Sequence, residues 1–145
     1  MSTTTALVVA TTFLWLGMVL AISFLEAPLK FRAEGLTVQV GLNIGRLVFG
    51  ALNIVEAVLA LVLAIAFLID APPRAGMAAL AVATVVLVVQ LVLIRPLLAR
   101  RTNAVLADSE IGIDTPRSHV HLWYVGAELV KVIALILGGI LLLAD

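Results

Sequence analysis

The chain is predicted to be all-α, an integral membrane four-helix bundle with both termini on the non-cytoplasmic side. Three observations predict this. Of 145 residues, 63% are hydrophobic and 12% charged, and the mean hydropathy is +1.24, a composition whose surface must face lipid more than water. Four apolar runs each reach the ~20 residues with which a helix crosses hydrocarbon. Between the runs fall prolines, glycines and basic residues, the punctuation expected of connections.

The first span is read from Ala6 to Leu25. It lacks the basic leader and small-residue cleavage site of a signal peptide and continues into Glu26, Pro28 and Lys30, so it is taken as a retained span that Pro28 ends. The second span is placed from Gly45 to Ile69 and joined by Asp70, Pro72, Pro73 and Arg74 to a third, Gly76 to Leu98, as a helical hairpin. Pro96 with Arg100 and Arg101 closes the third span. Asn103 to Glu110 can prolong that helix until Gly112 breaks it. The last span, His119 to Leu143, starts after Asp114, Thr115 and Pro116, an N-cap side chain followed by a proline suited to a first turn. Residues 1–145 thus read as one four-span domain without an evident repeat, with spans at about 6–25, 45–69, 76–98 and 119–143.

Orientation follows from the basic residues. Lys30, Arg32, Arg95, Arg100, Arg101 and Arg117 flank the first and third connections, whereas Arg74 stands alone in the second, so the first and third face the cytoplasm. The expected location is a bacterial inner (plasma) membrane. Nine basic and nine acidic residues cancel, which removes the basic field of a nucleic-acid binder. With no cysteine there is no disulfide frame, thiolate metal site or redox pair. Membrane lipids are the expected partners. A homo-oligomer is also expected, because four short spans leave little protein to wall off a polar interior, and Gly41 with Gly45 offers a GxxxG face for another helix.

Polar residues recur inside the spans at helical spacing. On span two, Gln39, Asn43, Arg46, Gly50, Asn53 and Glu56 follow one another at intervals of three or four and share one face. Span four repeats the device with Arg117, His121, Tyr124, Glu128 and Lys131. Span one adds Ser23, Glu26 and Lys30, and span three adds Gln90 and Arg95. With the orientation above, Glu26, Arg46, Arg95 and His121 lie near the cytoplasmic boundary, and Asn53, Glu56, Glu128 and Lys131 about 10 Å or more deeper at 1.5 Å per residue. Charge in hydrocarbon is costly, so such rows face a polar interior and mark function by default.

The expected site is therefore a charged pocket open to the cytoplasm. Glu26, Arg46, Asn53, Glu56, Gln90, Arg95, His121, Tyr124, Glu128 and Lys131 line it, with Glu56 and Glu128 titrating against Arg46, Arg95 and Lys131. It would bind or transport a proton, an ion or a small polar solute, with His121 a candidate proton relay. No catalytic residue, metal or cofactor is assigned, since the Glu-x-x-His pairs of di-iron bundles and the imidazoles on two helices needed for bis-histidine haem are missing. Two other functions compete. Arg46 and Arg95 would hold an anionic substrate in a membrane-embedded enzyme acting on a lipid or thiol conjugate, and in an accessory subunit the same residues would only fix helix register.

Trp15-Leu-Gly17 through Ser23-Phe24, Pro28 and Phe31, then Gly45-Arg46-Leu-Val-Phe49, with His121 at the head of the last span, resembles the small four-span family typified by the cisplatin-resistance-associated transmembrane protein. That resemblance implies a four-span fold and no particular chemistry. Asn53-x-x-Glu56 with Arg46, an arginine on span three and Tyr124 on span four is similar to the glutathione-using four-span transferases, and implies a thiol-binding role for Arg46, Asn53, Glu56 and Tyr124. The sequence departs from that pattern where Phe49 stands one turn before the asparagine in place of the family's arginine.

Overall fold

The computed structural model describes residues 2–70, 74–107 and 119–144. Four long helices make up this described part. We label them α1 (Thr3–Lys30), α2 (Val38–Ile69), α3 (residues 74–107) and α4 (His119–Leu143). The stretches Thr3–Lys30, Val38–Ile69, Arg74–Arg100 and Leu122–Leu143 are long and apolar enough to cross a membrane. Around them large apolar side chains face outward, among them Leu47 at 75% exposure and Leu68 at 87%, which a water-facing surface would not tolerate in such number.

The ends obey capping chemistry. Ser2 accepts a hydrogen bond from the Thr5 amide and Thr37 one from the Val40 amide, each satisfying a free donor of a first helical turn. Gly35, at φ +78°, supplies the left-handed turn that brings the chain from α1 into α2. The predicted cap for α4 at Asp114 and Thr115, with Pro116 and Arg117, lies outside the described residues, as do Pro72 and Pro73.

Two predicted stops are not stops. Pro28 and Pro96 both sit inside continuous helices, each two residues after a π-helical segment, Leu20–Glu26 in α1 and Gln90–Ile94 in α3. A proline ring clashes with the carbonyl four residues before it. Those positions, Phe24 and Val92, fall within the widened turns, where the regular i→i−4 ladder is already interrupted and the helix continues past the proline. Consequently α1 and α3 outrun their predicted spans. The second helix begins seven residues before the predicted Gly45, at Val38, because Thr37 caps it.

The helices form a square. α1 packs on α2 and α4, and α3 packs most extensively on α4, while α2 and α3 touch sparsely. Close approach of α3 to α4 depends on Gly76, where a side chain would strike Leu142, and on Gly138, where it would strike Leu80. Val8, Trp15, Val19, Leu59, Leu63, Leu80, Leu87 and Leu135 fill the interior of one half. Across the diagonal, the Phe49 and Tyr124 rings meet edge to face at 5.5 Å and Glu56 pairs with Lys131. Glu56 is seven residues after Phe49 and Lys131 seven after Tyr124, so α2 and α4 run parallel and in register, joined by long side chains rather than by backbone contact.

Candidate functional site

A buried polar group occupies the centre of the square. Lys131, on α4, has no exposed surface, and its ammonium reaches three oxygens: Glu56 Oε1 from α2 at 2.5 Å, Glu128 Oε1 at 3.0 Å and Gln90 Oε1 from α3 at 2.7 Å. All three ammonium protons are thereby used. Glu56 Oε1 also accepts from the Trp15 indole at 2.8 Å, and Glu128 accepts from Gln90 Nε2 at 2.8 Å on one oxygen and from the Ser23 hydroxyl at 3.1 Å on the other. Every helix of the square contributes.

The π segments position two of these donors. Ser23 lies within the widened turn of α1 and Gln90 opens that of α3. Both donate to the Glu128 carboxylate, so the two distortions that accommodate Pro28 and Pro96 also aim side chains at one acceptor.

Dense pairing leaves a remainder. Two carboxylates face one ammonium, so the ionised group carries one excess negative charge, and among the described residues both carboxylates form ion pairs with Lys131 alone. Among the described residues three buried oxygens have no hydrogen-bond partner: Glu56 Oε2, Asn53 Oδ1 and the Tyr124 hydroxyl. Asn53 precedes Glu56 by one turn on α2, and Tyr124 precedes Glu128 by one turn on α4, so each lies beside a carboxylate of the central group on its own helix. Unpaired buried polar atoms each cost free energy and call for a reason.

Other predicted site residues fall elsewhere. The Arg46 side chain is exposed and donates to Asn103 Oδ1 at 2.8 Å, because its long stem carries the guanidinium out to the open end of the bundle. Arg95 is exposed too, its guanidinium laid over Gly50, where a Cβ would stand 3.0 Å away. Glu26 is partly exposed and pairs with Lys30 at 3.4 Å on its own helix. Gln39 and Asn43 are exposed, so the stripe on α2 leaves the interior toward its start. The backbone of His121 belongs to α4, and its side chain lies outside the described residues. Among the described residues the buried charges are therefore Glu56, Glu128 and Lys131.

Gly41 and Gly45 have partners within the chain. A side chain at Gly41 would strike the Phe31 ring, and one at Gly45 would meet Lys30 Nζ at 2.9 Å, so this GxxxG pair seats the end of α1 rather than a second copy. Lys30 in turn lies 5.4 Å from the Phe49 ring and 5.6 Å from that of Phe31, a cation over aromatic faces. The Phe49 and Tyr124 rings thus stand between Lys30 and the central group. Two apolar cavities, of about 220 and 690 Å³, lie elsewhere, between the start of α1 and the end of α2 and between α3 and α4 beside Trp123.

Trp15 escaped the sequence reading. Its indole N–H needs a partner when buried, and a tryptophan well inside an apolar run, away from its ends, was the available signal.

Fold and site together define a class: an all-helical protein with four helices long and apolar enough to cross a membrane, centred on a buried Glu–Lys–Glu triad. Comparison adds no narrower assignment, for no family model, curated protein or solved structure matches the chain. Among the described residues no three His, Asp or Glu side chains are grouped to hold a metal ion.

Proposed function

We propose that this chain is an integral protein of a bacterial inner membrane, with both termini on the non-cytoplasmic side, and that its central group binds or transports a proton, an ion or a small polar solute entering from the cytoplasmic end. One observation carries the reading: two carboxylates and one ammonium lie completely buried and directly paired at the centre of an otherwise apolar bundle. Ionisable groups so placed are expensive, and in helical membrane proteins they mark ion and proton paths. Their excess negative charge selects a positive ligand. Phe49 and Tyr124 form the inner barrier that such a ligand must pass.

Uptake into proteoliposomes tests this. We expect Glu56→Gln and Glu128→Gln each to abolish proton- or cation-coupled flux measured with an internal pH or cation dye. Flux equal to wild type in both variants removes the carboxylates from the mechanism. The enzymatic alternative is less favoured, since Arg46 and Arg95 stand apart from the centre and Arg46 is engaged by Asn103. A role confined to locking the bundle has one observation in its favour, the three fully used ammonium protons of Lys131, and it would leave flux at background in the wild type. Kinship with the small four-span family named above, and assembly into a homo-oligomer, belong to the same proposal; the exposed Trp123 and the apolar cavity beside it support a contact at that face.

A further inference from the structure

We propose that the positive ligand of the central group is a single proton, carried by Glu56 on Oε2, with Glu128 the fixed counter-ion of Lys131. This rests on the reading that the centre binds a positive ligand, and it names that ligand and the atom that holds it.

The two carboxylates are not equivalent. Glu128 is furnished with donors on both oxygens: Oε1 accepts from Lys131 and from Gln90 Nε2, and Oε2 accepts from the Ser23 hydroxyl. Gln90 is not free to turn its amide around, because its own Oε1 is taken by Lys131. Such surroundings suit an ionised carboxylate, which only accepts. Glu56 is furnished on one side. Its Oε1 accepts from Lys131 and from the Trp15 indole, whereas Oε2, also buried, has no donor among the described residues. A charged oxygen buried without a donor is costly. A proton placed there removes the charge where nothing else compensates it and breaks no hydrogen bond of the site. On Glu128 it would have to displace or reverse one of three donors.

The charge balance agrees. Glu56 and Glu128 against Lys131 sum to one negative charge, and one proton brings the buried group to neutrality. A single oxygen is enough to hold a proton, whereas hard metal cations collect several oxygens around them. Protonated, Glu56 becomes a donor in its turn. Asn53, one turn earlier on α2, offers a buried Oδ1 that also lacks a partner among the described residues, and residues three apart on a helix are side-chain neighbours. Few other ionisable groups surround the pair among the described residues. On α4 they are Lys131, Glu128 and, one turn before Glu128, Tyr124, while α1 and α3 supply the uncharged Trp15, Ser23 and Gln90. Lys30 is paired with Glu26 and lies against the Phe49 ring, and Arg95 lies over Gly50 with its side chain exposed, so neither stands in for Lys131.

An amide imitates a protonated carboxyl permanently, and the experiment uses this. The purified full chain, in a detergent without carbonyl groups, carries Trp123→Phe so that Trp15 is its only tryptophan. From neutral to alkaline pH it is followed by tryptophan emission and by the infrared carbonyl band of protonated carboxylic acids, alone and with Glu56→Gln or Glu128→Gln. Trp15 senses Glu56 through its hydrogen bond to Oε1. At neutral pH the parent protein should show the acid band, which fades as pH rises while Trp15 emission changes with it. Glu56→Gln should match the parent's emission at neutral pH and hold it as pH is raised. In Glu128→Gln the one remaining carboxylate ionises against Lys131, so emission should match the alkaline end of the parent's titration. The acid band should be lost in both variants, and circular dichroism verifies that each is folded. If instead Glu128→Gln matches the parent at neutral pH and Glu56→Gln departs, the proton sits on Glu128, which overturns the assignment and leaves a proton as ligand. A parent protein without the acid band at neutral pH overturns the proton itself; the reading beneath it then survives if wild-type proteoliposomes show cation flux and falls with it if they do not.

Discussion

Lys131 is the residue on which the interior depends. Its ammonium is the sole cation paired with Glu56 and Glu128 among the described residues, so Lys131→Met leaves two carboxylates facing each other without it. Removing one partner of a buried ion pair costs about 3–5 kcal/mol, whereas replacing the charges together costs far less. We therefore expect Lys131→Met to lower stability by that amount in denaturant titrations in detergent, and the triple change Glu56→Gln, Glu128→Gln, Lys131→Met to recover most of it. A triple variant no more stable than the single one would show that the pairing itself, not the unmatched charge, holds the bundle. Glu56 and Glu128 were legible in the sequence because helical spacing put them in rows with Asn53 and Tyr124. Arg46 and Arg95, which spacing set near the boundary end of the same rows, have exposed side chains: spacing fixes the face a residue leaves, and a long flexible stem then decides where its charge ends.

At the scale of the helix, close packing of α3 on α4 rests on small residues. Gly138→Val should cost about 1–3 kcal/mol as overpacking against Leu80, while Gly126→Ala, on the same helix with nothing within 4 Å of an added Cβ, should change stability by less than about 0.5 kcal/mol. Thermal unfolding of the two variants side by side checks the contrast. Most of the helical architecture was readable, because apolar runs of this length have few alternatives. The length of α1 was not, and although the continuation of α3 beyond Asn103 was foreseen, Pro96 lying within it was not. Pro28 and Pro96 are stop signals under local rules, and nothing in the sequence alone announces that the turns before them widen. Those widened turns bring Ser23 and Gln90 to Glu128, so the feature that defeated the prediction of the elements also shapes the site.

For the molecule as a whole, topology is the claim most open to direct measurement. The chain has no cysteine, so single cysteines can be placed without background. Asp70→Cys in intact cells should react with a membrane-impermeant thiol reagent, and Asn103→Cys only after permeabilisation; the reverse pattern would invert the orientation read from the basic residues. The square arrangement also sets where it can part. α1 joins α2 on one side and α4 on the other, and α3 is fastened mainly to α4, so the sparse boundary between α2 and α3 is the edge with least packing to lose. Like a book whose spine is the line of α1 against α4, the molecule can fan apart along that fore-edge with both covers intact, and each opening would pull Glu56 on one cover away from Lys131 on the other.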